Sequence, residues 1–164
     1  MEILSSDDLA VLESVFKKYD FRGSGYLDIE QFTLFLVRLG KHVKELKKVS
    51  SETTIAVFAL IDRNTDGKIN FNEFCEWWST DESRRYGYFT GEKKRLLRKS
   101  YDLYRKYSSN DTSITRKSGM TLAQFGKMMN TLKIEYTEED FDALDEDDNG
   151  TLSFEEFCRW LNWF

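Results

Sequence analysis

Apolar residues along this chain recur three or four places apart, the spacing of one face of a helix. Leu9, Leu12, Phe16 and Tyr19 form the first run, and Phe32, Phe35, Leu36 and Leu39 the second. Ile55, Phe58 and Ile61 make the third, and Phe71, Phe74, Trp77 and Trp78 the fourth. After a polar stretch at 80–90 the pattern resumes with Leu96, Leu97, Leu103, Tyr104 and Tyr107, then Phe125, Met128, Met129 and Leu132. Phe141 and Leu144, and then Phe157 and Trp160, continue it. The pattern predicts an all-α chain. Ser5 or Ser6, Ser51 and Thr137 stand where helices start, and Gly40 where one ends.

Between the last two runs lies a segment of another kind, Asp145 to Glu156. Oxygen-bearing side chains recur there at Asp145, Asp147, Asn149, Ser153 and Glu156, with Gly150 in the middle. A hard cation such as Ca²⁺ takes six to eight oxygens from a short loop. Alternate side chains can point inward while the backbone curls round the ion. Thr151 can add its carbonyl, Gly150 permits the sharp turn, and Glu156 can close the shell with both carboxylate oxygens. Asp62, Asn64, Asp66, the Lys68 carbonyl, Asn70 and Glu73 repeat the arrangement. Each copy is followed by Phe-Cys, at Phe74-Cys75 and Phe157-Cys158. One copy alone could be a solvated acidic turn; two filled copies in matching context argue against that.

The pattern is that of an EF-hand loop, and the chain resembles the EF-hand calcium-binding superfamily, with calmodulin-like and sarcoplasmic calcium-binding members. The resemblance implies four helix-loop-helix hands in two paired lobes, with one Ca²⁺ per lobe in the second and fourth hands and Mg²⁺ as competitor at resting calcium. The first hand, Asp20 to Gln31, keeps the frame but has Arg22 and Gln31 at ligand places. The third runs from Ser108 to Gln124, five residues longer than the usual twelve, with Arg116 and Lys117 inside. Its extra length is expected to put Ser108 out of register with Gln124, and neither of these hands is expected to bind metal.

An internal duplication underlies this: Asp62 to Asp145, Glu73 to Glu156 and Trp77 to Trp160 are each 83 positions apart. Every exit helix begins with a reciprocal cap: Asp28/Gln31, Asn70/Glu73, Thr121/Gln124 and Ser153/Glu156. Gln caps a helix even where it cannot chelate. Loop residues Leu27 with Ile69, and Met120 with Leu152, are expected to form short antiparallel bridges. The expected organisation is an N-terminal pair at 1–79, a linker at 80–90 and a C-terminal pair at 91–164. The linker carries Arg84 and Arg85, and Tyr86, Tyr88 and Phe89 should pack it against a lobe.

A formal charge of −5 argues against nucleic acid as main partner. Cys75 and Cys158 read as small buried hydrophobes. The first residues have no apolar signal core, residue 2 is Glu rather than the Gly of myristoylation, and no run is long enough to span a bilayer, so no membrane anchor and a cytoplasmic location are expected. The single histidine, His42, lies in the basic connector 41–50, and no nucleophile–base set appears, so no enzyme is expected. The leading reading is a calcium sensor that opens an apolar groove for an amphipathic helix of a target protein, with Trp77, Trp78, Met128, Met129 and Trp160 as candidate groove residues. Their ordinary reading is core packing. The alternatives are a calcium buffer of sarcoplasmic type, with Trp163-Phe164 plugging its own groove, or a light-chain-like subunit. A photoprotein-like cavity ranks last for want of histidine.

Overall fold

The computed structural model describes residues 4–80, 82–108 and 119–161. Arg116, Lys117, Trp163, Phe164 and the Arg84 side chain lie outside what it describes. The helices are α1 (Ser6–Tyr19), α2 (Ile29–Leu39), α3 (Ser51–Ile61), α4 (Phe71–Trp78), α5 (Glu82–Gly87), α6 (Gly91–Ser108), α7 (Leu122–Thr131), α8 (Glu138–Leu144) and α9 (Phe154–Leu161). Four two-residue strands lie between them: β1 (Tyr26–Leu27), β2 (Ile69–Asn70), β3 (Met120–Thr121) and β4 (Thr151–Leu152). The fold is all-α, with two small loop–loop bridges.

Helix starts follow local side-chain chemistry. Ser5 caps α1 reciprocally with Asp8, and Ser50 caps α3 by accepting from the Thr53 amide. The exit helices α2, α4 and α7 carry the expected boxes, Asp28 with Gln31, Asn70 with Glu73 and Thr121 with Gln124. On α9, Ser153 N donates to Glu156 Oε1 at 2.8 Å, and Glu156 N donates to Ser153 Oγ at 3.2 Å. Each such box satisfies amides that have no partner within the helix. Gly40 caps α2 for a reason of space rather than handedness. Its φ is −61°, but a Cβ there would come within 2.8 Å of the Leu46 carbonyl oxygen.

β1 pairs antiparallel with β2, with Leu27 opposite Ile69; β3 pairs with β4, with Met120 opposite Leu152. All four of these residues are buried, so each bridge is pinned by apolar contact on its inner side. Aromatic rings fill the space beneath. Phe32, Phe35, Phe74 and Trp77 meet mostly edge-to-face in the N-terminal half. In the C-terminal half, Phe125 packs against Phe141 and Trp160, and Phe157 against Tyr104 and Trp160. Leu9, Ile55 and Leu132 stay on the surface despite their helical spacing.

The halves are not held apart. α3 packs on both α6 and α9, and a single buried cluster runs through the molecule. The stretch 80–90 contains the short helix α5 and buries Tyr86 and Phe89. Arg85 lies over the Trp78 ring at 4.1 Å and donates to the Trp78 carbonyl at 2.8 Å, fixing α5 to the end of α4.

Candidate metal centre

Both complete loops begin with a buried aspartate at the C-cap of an entering helix. Asp62 follows α3 and accepts from Asp66 N at 3.3 Å and Gly67 N at 2.8 Å. Asp145 follows α8 and accepts from Asn149 N at 3.3 Å and Gly150 N at 2.8 Å. These contacts curl the chain, and the turn requires glycine at the sixth place: φ is +80° at Gly67 and +84° at Gly150.

The last residue comes back from the exit helix. Glu73 Oε1 accepts from Asn70 N at 3.0 Å, and its Oε2 accepts from Asn64 N at 3.3 Å. Glu156 behaves alike, with Oε2 accepting from Glu146 N at 2.7 Å. One side chain thus caps the exit helix with one oxygen and turns the other to the start of the loop.

Carboxylate oxygens of Asp62, Asp66 and Glu73 converge within 4.8 Å of one another, and so do those of Asp145, Asp147 and Glu156. In each set the first and last residues are buried and the middle one is exposed. Burial, followed by the charges of Glu73 and Asp66, pushes Asp62 up to about 7, and burial also raises Glu73. Asp147 is raised by desolvation and by its contact with Asp145. A buried oxygen set that is unfavourable when empty suits a hard divalent cation, whose charge would reverse that cost. Asn64 lies in the second set, while Asn149, Thr151 and Ser153 lie round the fourth. Lys68 N donates to Asp66 Oδ1 at 3.0 Å, which holds the backbone whose carbonyl is the expected seventh-place donor.

The first loop has the same curl without the same chemistry. Asp20 accepts from Ser24 N at 3.0 Å and Gly25 N at 2.9 Å. Arg22 pairs with Asp28 and Glu30. Gln31 Oε1 caps Asp28 N at 2.8 Å, and its buried Nε2 has no hydrogen-bond partner among the described residues. At the third hand, Gln124 Nε2 donates to the Ser108 carbonyl at 3.4 Å. The two ends of the long loop therefore meet, contrary to the register expectation.

Of the candidate groove residues, Trp77, Met128 and Met129 are buried, and Trp78 and Trp160 are half-buried against their own cores. The sequence reading missed Arg63, which joins the two complete hands; an arginine at the second place of a loop carries no signal of a partner 92 residues away.

A family model of the EF-hand domain pair matches residues 9–79, and a second EF-hand domain pair model matches residues 127–162. Calsensin of Haemopis marmorata is 35% identical over 65 residues, covering 40% of this chain and 78% of its own. This chain belongs to the EF-hand calcium-binding superfamily. The likeness extends over its whole length. Troponin C isoform 2B of Homarus americanus is 25% identical over 169 residues, 99% of each chain. A probable calcium-binding protein of Arabidopsis thaliana is 28% identical over 152 residues, 92% of this chain and 72% of its own. An EF-hand protein with these two oxygen sets is a calcium-binding protein. Among the described residues, no helix is long and apolar enough to cross a membrane.

Proposed function

We propose that this EF-hand protein binds two Ca²⁺ and acts as a cytoplasmic, non-enzymatic calcium sensor for a protein partner. One ion is held by Asp62, Asn64, Asp66, the Lys68 carbonyl, Asn70 and Glu73. The other is held by Asp145, Asp147, Asn149, the Thr151 carbonyl, Ser153 and Glu156. The observation that carries the reading is the convergence of three carboxylates in each of these loops and not in the first. Lobes 1–79 and 91–164, joined by 80–90, contribute one ion each, and Mg²⁺ competes at resting calcium. Trp77, Met128 and Met129 are buried, and an opening on Ca²⁺ binding would offer them to an amphipathic helix. The likeness to troponin C across the chain supports a protein partner in general.

The packing of α3 on α6 and α9 favours a second reading, a closed buffer, because opening must then disturb a shared core. Two measurements decide. Calorimetry on the native chain should count two ions, and a count of none or of three or more would overturn the site assignment. Fluorescence of an apolar dye should rise when Ca²⁺ is added; an unchanged signal means a buffer.

A further inference from the structure

Each complete loop is bridged, within its half, to an incomplete one: β1 with β2, and β3 with β4. The β-bridges therefore join an ion-binding hand to a hand without an ion. They offer no route from ion to ion. The two complete hands meet elsewhere, across the halves, at a cleft of about 320 Å³ lined by Asn64, Glu73, Glu76, Asp147, Glu155 and Glu156 among others.

Arg63 stands in that cleft. It directly follows Asp62, the first residue of the second loop. Its Nε lies 2.9 Å from Glu155 Oε2, and its Nη2 donates to Glu155 Oε1 at 3.1 Å, a two-point grip. Its Nη1 reaches Glu76 Oε2 at 3.0 Å. Glu76 lies on α4, one turn beyond Glu73, and Glu155 lies on α9 beside Glu156. One guanidinium thus ties the entering end of the second loop to the exit helices of both complete hands. Arg159 extends the tie, reaching Glu155 Oε1 at 2.8 Å and Glu146 Oε2 at 2.6 Å.

We infer that Arg63 is a positioning residue that couples the two ion sites, so that filling the second loop strengthens binding at the fourth. An ion held by Asp62 fixes the backbone at residue 63. The fork then fixes Glu155 and with it the first turn of α9, which carries Glu156. By linkage the effect is mutual. Arginine is required because lysine offers a single point of charge and cannot grip Glu155 at two points while holding Glu76. The inference rests on the two-ion reading above.

The test measures Ca²⁺ affinity at the fourth site by calorimetry in four proteins: native, Glu73→Gln, Arg63→Lys and the double variant. Glu73→Gln disables the second site. With Arg63 present it should weaken the fourth site by about fivefold, near the lower end for coupled sites because the grip is partly solvated. In the Arg63→Lys background the same change should matter by less than about twofold. An equal loss in both backgrounds, or no loss with Arg63 present, overturns the coupling. Arg63→Gln should behave as Arg63→Lys does; coupling lost with Gln but kept with Lys assigns it to charge alone and overturns the fork. Far-UV circular dichroism confirms that each variant folds. If the native chain binds no Ca²⁺, the proposed function fails rather than the coupling; if it binds two ions independently, the coupling alone fails.

Discussion

The first and second loops are near neighbours in one half, bridged strand to strand, and share a backbone scheme. Asp20 and Asp62 each gather the fifth and sixth amides of their loop. Gln31 and Glu73 each cap an exit helix through Oε1. They part at two places. The second oxygen of Glu73 faces the loop as an acceptor, whereas Gln31 offers a buried N–H with no partner among the described residues. The third place holds Asn64 in one loop; in the other it holds Arg22, already paired with Asp28 and Glu30. The difference separates what shapes such a loop from what fills it. The curl uses the first aspartate, the glycine and the cap; on the proposed reading the ion needs, besides these, the second carboxylate oxygen and a cation-free third place.

The harshest test of this division converts a complete loop at a single atom. Glu73→Gln or Glu156→Gln keeps the capping oxygen and loses the chelating one. Ca²⁺ affinity at the altered site should fall by about a hundredfold or more, since affinity follows ligand charge count. Helical content of the metal-free protein should barely change. A large loss of helix by circular dichroism would show that cap and chelation are not separable.

The reverse conversion should need both changes. Arg22→Asp alone leaves the shell without its closing carboxylate, and Gln31→Glu alone leaves the positive charge of Arg22 at the third place, to repel the ion or draw the new carboxylate. Only the double variant should bind a third ion, with an interaction energy of about 1–3 kcal/mol between the two substitutions. A third ion counted in either single variant, or missing from the double, refutes the division.

Much of this was legible in the sequence because it is local. The twelve-residue spacing, the caps and the strand partners all follow from one repeated frame, and Leu27 opposite Ile69 needs only that frame. What was not legible is long-range. Nothing periodic announces that α3 will lie on α6 and α9, or that Arg63 will reach Glu155. Ile55 has the helical spacing of a core residue and stays on the surface, since periodicity finds a face but not whether another helix covers it. The packing of the 80–90 stretch was legible in its aromatics, and Tyr86 and Phe89 are buried, but the short helix α5 within it was not.

The halves also differ beneath their bridges. In the C-terminal half, Tyr104 donates its buried hydroxyl to the Leu152 carbonyl at 2.7 Å. The matching place on α1 is Phe16, by alignment of Tyr107 with Tyr19. Tyr104→Phe should therefore lower stability by about 1 kcal/mol, the worth of one neutral hydrogen bond. Denaturant unfolding measures it, and no loss would mean that the bridge does not lean on that hydroxyl.

The smallest effect lies at the fourth place of the loops, where all three described curls are left-handed. The first loop uses Gly23 there, with φ +64°, while the complete loops use Thr65 and Asp148, both at +55°. A left-handed residue with a Cβ costs about 1–2 kcal/mol, and a β-branched one is the worst suited. Glycine removes that strain but costs about 0.5–1 kcal/mol in chain entropy. Thr65→Gly also gives up an exposed hydroxyl contact to the Asn64 carbonyl at 2.7 Å, which contributes little in water. Strain relief should win narrowly, raising metal-free stability by about 0.5 kcal/mol. Asp148→Gly should gain less, because aspartate already tolerates this conformation. Paired denaturant curves would decide: a larger gain for Asp148→Gly than for Thr65→Gly would show that β-branching is not what strains the second loop.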